Sequence, residues 1–205
     1  MDASGNTDTP LIDGLVEMAT RAFPAAEQLY AETRQSVGQL VIKDGRVSGA
    51  LIEQNQTAVH GLSWVATYVE GLRQMLAWAE RLSEEDRLGE LEQLMVQAAF
   101  GEYLSQLSGG ISISQLEIVR PVDLGVSDDA LHTFISDADV QALMAQGNTE
   151  PVRARIAVLI EDNHFGAPGL SDETLDMVRD QFRRFAEEQV TPYAHNWHLK
   201  DELIP

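Results

Sequence analysis

His195 and His198 stand three residues apart around Trp197, the spacing at which a helix sets two imidazoles on one face and could offer two ligands to a zinc-like cation. A protein zinc site needs at least one more donor. Asp201 and Glu202 follow too closely to define it, so the pair reads as a structural feature of a helix end. His60, His132 and His164 occur singly and read as satisfied helical or loop histidines. Carboxylates are so abundant, at 33 against 14 Lys and Arg, that Glu84-Glu85-Asp86 and Glu187-Glu188 carry no acid–base signal and read as solvated helix ends. The absence of cysteine removes thiolate nucleophiles, thiolate metal sites, disulfides and thiol redox chemistry together, and points to a cytoplasmic protein. No GxSxG occurs. The serine-glycine cluster LSGGISIS at residues 107–114 reads as a turn and not as a nucleophile elbow. Gly101, Gly109 and Gly110 have neither the preceding strand nor the spacing of a dinucleotide or phosphate loop. No catalytic, cofactor-binding or metal-binding residue is therefore assigned within the 205 residues.

A formal charge of −19 repels phosphate backbones and anionic membrane surfaces. The densest basic group, Arg179, Arg183 and Arg184, is interleaved with Asp180, Glu187 and Glu188, the pattern of a solvated helix face, so neither a nucleic acid nor a membrane is expected as partner. The N-terminus has no basic or apolar leader region, and no apolar run approaches the length of a membrane span.

Helical periodicity dominates what must position these groups, and the expected fold class is all-α, an antiparallel helical bundle. Residues 1–9 are small and polar and are expected to be disordered. Leu11, Leu15, Met18 and Ala22 begin a first stripe. Pro24 permits a fresh helix carrying Leu29, Tyr30, Val37, Leu40 and Val41, which Lys43-Asp44-Gly45 should stop. One long helix is expected over about 47–82, its stripe widened by Trp64, Tyr68 and Trp78, which read as core and not as docking anchors. Ser83 with Asp86 three residues on suggests the next helix start, and Leu88, Leu91, Met95, Ala98, Leu104 and Leu107 continue to Gly109-Gly110.

Residues 111–126 alternate briefly but are too short to make a sheet, and are expected to cross the bundle as an extended or short helical segment broken by Pro121 and Gly125. Short helices should follow at about 127–135 and 137–146. A third should begin near Thr149, with Val152, Ile156, Leu159 and Ile160 buried. The stretch NHFGAPG at 163–169 is the best linker candidate. Beyond it Ser171 should cap a helix whose face carries Leu175, Val178, Phe182, Phe185 and Val190. The expected organisation is a helical bundle over 10–165, a linker at 166–170 and a second helical unit over 171–205.

That last segment carries a recognisable order: an acidic helix opening, Val178-Arg179, then Phe185-Ala186-Glu187-Glu188, Val190, Pro192, Trp197, Glu202 and Pro205. It resembles the opening helix of the acyl-CoA dehydrogenase family. Ordinary members begin almost directly with this helix, whereas here about 170 residues come first, a preface resembling that of members acting on a branched C5 diacid thioester.

The resemblance implies the front portion of a flavoprotein with FAD, a CoA-thioester substrate, electron-transfer flavoprotein as partner and a homo-oligomeric assembly. The flavin and the glutamate base would lie outside this segment, which is itself expected to be inactive and to serve packing or assembly. A weaker likeness covers residues 54–120, which resemble the C-terminal helical bundle of the same family, with Gly109-Gly110 and Arg120 in the corresponding places. The family's glutamate base has no counterpart in the following PVDLGVSDDALHTF. The alternative from a different class is a stand-alone, non-catalytic helical interaction protein.

Overall fold

The computed structural model describes residues 10–169 and 172–203, so the expectation of disorder at 1–9 lies outside the described residues. The chain divides into two compact units, Met1–Ala167 and Pro168–Pro205. The all-α expectation is borne out: the described strands are two-residue pairs attached to long helices.

The first unit is built on three long helices, α1 (Leu15–Val41), α3 (Gln56–Glu84) and α4 (Glu90–Gly109). They run antiparallel in sequence order. Val59 and Leu62 in the first turns of α3 share a cleft with Val37 and Val41 at the end of α1, Arg73 in the second half of α3 reaches back to Glu27 in the middle of α1, and Tyr68 in the first half of α3 stacks on Tyr103 in the second half of α4. The core between them includes Phe100, Leu72, Leu104 and Val37, all fully buried, each side chain worth about 1.5–3 kcal/mol of transfer from water.

Pro24 does not start a helix. Helix α1 continues through it for 27 residues, because Ala19, Ala22, Phe23, Ala26, Leu29 and Thr33 keep one buried face while Pro24 and Thr20 lie on the solvent side. There water can satisfy the Thr20 carbonyl that proline leaves without its N–H partner. Nor does Asp44-Gly45 act as a helix stop. Asp44 (φ 53°) and Gly45 (φ 74°) form the two-residue turn of a hairpin between β1 (Ile42–Lys43) and β2 (Arg46–Val47). Both turn residues need positive φ, which is why Asp-Gly serves there.

The expected single helix over 47–82 is split. Ser48 caps α2 (Gly49–Gln54), and Asn55 ends it by donating its side-chain amide to the Leu51 carbonyl at 2.8 Å before α3 begins. Ser83 starts no helix either: it lies in the last turn of α3, which closes with Asp86 at φ 53°, Asp86 N–H on Ser83 O and Arg87 N–H on Leu82 O. Leu82, fully buried, holds that turn in the helix. Met95 is 40% exposed and not part of the core stripe, whose place is taken by Leu94, Val96, Gln97 and Phe100.

Residues 111–119 do pair, as the antiparallel β3 (Ile111–Ser112) and β4 (Ile118–Val119), with Ile111 opposite Val119. Both of those residues are buried, so packing stabilises a ladder too short to stand alone. A 3₁₀ turn at Pro121–Leu124 leads to α5 (Asp128–Ser136), α6 (Ala138–Gln146) and α7 (Glu150–Glu161). Helix α5 packs on α1, α6 packs on α1 and α4, and α7 packs on α4. Val152 and Leu159 of α7 are buried as expected, while Ile160 is 48% exposed.

The second unit consists of α8 (Glu173–Phe185), a π-helical turn at Ala186–Val190 and α9 (Thr191–Lys200). The cap of α8 is Asp172, whose carboxylate accepts from the Thr174 and Leu175 amides at 2.8 and 3.2 Å; Ser171, the expected cap, lies outside the described residues. Pro192 falls in the first turn of α9, where its missing N–H matters least.

Three ion-paired or hydrogen-bonded carboxylates tie stability of the first unit to pH. Arg21 grips Asp139 with two bonds of 2.8 Å and holds its carboxyl below the ordinary 3.8. Gln106 and Asn148 lower Glu102, and Gln74 with Arg73 lowers Glu70, both from an ordinary 4.5. The unfolded chain binds more protons than the folded one as these groups titrate. Their contribution is therefore complete above the ordinary values and is lost as pH falls through the lowered ones. Because acidification also relieves the −19 charge, the comparison to make is with a variant. Going from about pH 6 to about pH 3.5, the unsubstituted chain should lose more thermal stability than Asp139→Asn with Glu102→Gln; equal losses would contradict this.

Candidate functional site

In the first unit, α1, the β1–β2 hairpin, α2 and α3 enclose a cleft of about 830 Å³, lined by Val37, Val41, Ile42, Val47, Ile52, Val59 and Leu62. The hairpin gives it an apolar wall, with Ile42 50% and Val47 64% exposed. This wall is hidden in the sequence because Asp44-Gly45 after a helical stripe reads as a helix end; the same dipeptide between Ile42-Lys43 and Arg46-Val47 is also the hairpin signal.

The cleft does not fit a flavin dinucleotide. A diphosphate requires several cations or free helix N-terminal N–H groups. Among the lining residues Arg34 is the one cation, Glu32 stands beside it, and the wall of α1 is the middle and last part of a helix.

A polar chain lies at the start of α3. The Trp64 indole N–H donates to His60 Nε2 at 3.0 Å, and His60 Nδ1 lies 2.8 Å from Glu117 Oε1 in the β3–β4 turn. Because indole can only donate, Nε2 must accept and the neutral ring carries its proton on Nδ1, facing Glu117. This is an orienting arrangement without a nucleophile: its outer member is an indole N–H, whose nitrogen lone pair belongs to the aromatic ring, so it donates a hydrogen bond to the imidazole and supplies no attacking atom. Glu117 was not singled out in the sequence, since nothing local marks a partner 57 residues away. Trp64 continues edge-on to Tyr68, which stacks on Tyr103 with centroids 4.2 Å apart and donates its hydroxyl to Gln106 at 2.8 Å. Burial raises the Tyr68 phenol, so it remains a donor. Trp64, Tyr68 and Trp78 are half-buried and packed against the core, as the stripe predicted.

The remaining candidates are dispersed. His132 faces Ser136 at 3.3 Å within α5, and His164 is exposed in the 163–169 loop. His195 and His198 are exposed on α9, and among the described residues no group of three His, Cys, Asp or Glu is arranged to hold a metal ion. Ser114, the last residue of the Ser-Gly cluster, accepts the Leu116 and Glu117 amides and shapes the β3–β4 turn. Gly110 takes φ 128° at the end of α4, and Arg120 lies 3.9 Å from Asp123. Arg179 is engaged by Asp176 and Asp180 on its own helix. Glu85 pairs with Arg87 at the exposed end of α3.

The second unit exposes an apolar face. On α8, Leu175, Val178, Phe182 and Phe185 are 47%, 46%, 72% and 59% accessible, and recur at the three- and four-residue spacing of one helical face. Among the described residues no helix is long and apolar enough to cross a membrane.

No protein-family model matches the chain. It is 50% identical over 203 residues to (2S)-methylsuccinyl-CoA dehydrogenase of Cereibacter sphaeroides, a match that takes in 97% of this chain and 36% of that relative. The likeness to acyl-CoA dehydrogenases expected from 171–205 is borne out, and it extends through the preceding bundle. The chain spans about a third of the length of the relative it matches.

Proposed function

We propose that this chain is the front portion of a flavin-dependent acyl-CoA dehydrogenase that converts methylsuccinyl-CoA to mesaconyl-CoA. In this reading the complete enzyme is a cytoplasmic homo-oligomer that carries FAD and passes electrons to an electron-transfer flavoprotein. Residues 10–165 are a packing or assembly domain, and 171–205 begin the helical domain of the dehydrogenase body. The observation that carries the reading is the 50% identity running across 97% of the chain, bundle and terminal helices alike. The exposed face of Leu175, Val178, Phe182 and Phe185 supports it, since a helix that opens a larger domain must leave its packing surface bare when taken alone. No catalytic step is assigned to residues 1–205, and the flavin is placed outside them.

The test uses the full-length product of the parent gene. It should bind flavin and oxidise methylsuccinyl-CoA with an artificial electron acceptor; a product that does neither would overturn the assignment. Deleting 1–165 from it should lower thermal stability or change the mass measured by light scattering. An unchanged assembly with unchanged turnover would leave the assignment standing and remove the packing role.

A further inference from the structure

Glu92 is a charged residue that is only 7% exposed. It sits in the first turn of α4, where a carboxylate is favoured by the helix dipole. Its Oε1, however, is turned outward to the loop that follows α7, and accepts the Ala167 N–H at 2.7 Å. The carbonyl of the same residue accepts the indole N–H of Trp78, from the last third of α3, at 3.0 Å. One residue of the connector is thus fastened through both of its backbone polar groups, to two different long helices, by side chains 89 and 75 positions earlier in the chain. Gly166, at φ 76°, supplies the turn that presents the Ala167 amide to Glu92.

We propose that Glu92 and Trp78 are positioning residues that make Ala167 the fixed end of the connector between the two units. The bond to Glu92 orients the peptide before Ala167, and the bond to Trp78 orients the peptide after it. The next residue, Pro168, has its φ locked by the ring, so the first soft torsion the chain meets is ψ of Pro168, followed by Gly169 at φ 70°. The bundle therefore holds the connector rigid up to a proline and hands it on at a glycine. The Glu92 bond is charge-assisted and shielded from water, and is the stronger of the two fastenings.

Amide hydrogen exchange on the 205-residue chain, read residue by residue by NMR, tests this. The Ala167 amide should exchange at least about tenfold more slowly than the free-peptide rate. Glu92→Ala should return it to near that rate, and Glu92→Gln, which keeps an acceptor oxygen, should recover most of the protection. Trp78→Phe keeps the ring packing but removes the donor, and should speed exchange by a smaller factor. The core amides of Phe100 and Leu104 report whether each variant is folded. Free-peptide exchange at Ala167 in the unsubstituted chain with the core protected would overturn the proposal, as would equal exchange in Glu92→Ala. If Glu92→Ala exposes the core amides, Glu92→Gln and Trp78→Phe decide: faster exchange at Ala167 only in Trp78→Phe supports the anchor, and no change in either refutes it.

Discussion

Gly147→Ala should lower the thermal midpoint of the chain by roughly 4–12 °C, equivalent to about 2–3 kcal/mol for a unit of this size. A Cβ at position 147 would lie 2.5 Å from the Leu143 carbonyl oxygen, 2.6 Å from the Gln97 carbonyl oxygen and 2.6 Å from the Gly101 Cα. From the other side, a Cβ at Gly101 would lie 2.6 Å from Asn148 N and 2.7 Å from Gly147 Cα. The two glycines are where the end of α6 rests on the middle of α4, backbone against backbone. No side chain is available there to rotate away, so relief requires moving α6, and with it Val140 and Leu143, which are fully buried. Gly101→Ala should do similar damage. The double variant should fall short of additive, because the first methyl already separates the helices. Gly109→Ala is the control: it is helical with open space around it and should be neutral or stabilising by up to about 1 kcal/mol. Scanning calorimetry of the three single variants and the double variant settles the matter. A Gly147→Ala midpoint equal to that of Gly109→Ala would show that the close contact is not required.

The second large effect is expected at Gln97, which has no exposed surface. Its Oε1 accepts the Ile12 N–H at 2.9 Å, and its Nε2 donates to the Pro10 carbonyl at 2.9 Å and the Gln146 carbonyl at 3.3 Å. One amide thereby ties the chain's entry segment and the end of α6 to α4. Gln97→Ala strands three backbone groups and opens a cavity, and should cost about 3 kcal/mol or more. Gln97→Leu keeps most of the volume and isolates the polar part, about 1–3 kcal/mol. Gln97→Glu is informative in a different way. A carboxylate cannot donate to the Pro10 and Gln146 carbonyls, so this variant should be the least stable near neutral pH and should regain stability on acidification, opposite in sign to the Asp139 and Glu102 contribution. Denaturant melts of the three variants at two pH values separate these expectations. A Gln97→Leu variant as stable as the unsubstituted chain would show that the three bonds are worth no more than apolar packing.

The alternation of three- and four-residue spacings is a property of the chain alone, and it is enough to give the all-α class, much of the buried stripes of α3 and α4 though not where those helices begin, and the short helices over 128–161. The same holds for Glu173–Phe185, where an apolar face on a charged helix is legible in the residue spacing alone. The ordered residues from Phe185 to Trp197 pointed to the family that the 50% identity then supported across the bundle.

Local signals misled wherever two readings of the same residues differ only in what packs nearby. Pro24 reads as a break, yet the buried face of Ala22, Phe23 and Ala26 carries the helix through it. Ser83 reads as a start, yet buried Leu82 keeps it in the previous turn. Asp44-Gly45 serves either a helix end or a hairpin. Only the course of the chain after Val41 made it the latter and built the apolar wall of the cleft.

The groups with the most specific geometry were the least legible. His60 with Glu117, Gln97 with Pro10, and Glu92 with Ala167 are joined across 57, 87 and 75 positions. Composition and periodicity fix which faces are buried because those are averages over a helix. A single hydrogen bond between distant positions depends on where the packed backbones come to rest, and that is settled only when the bundle closes.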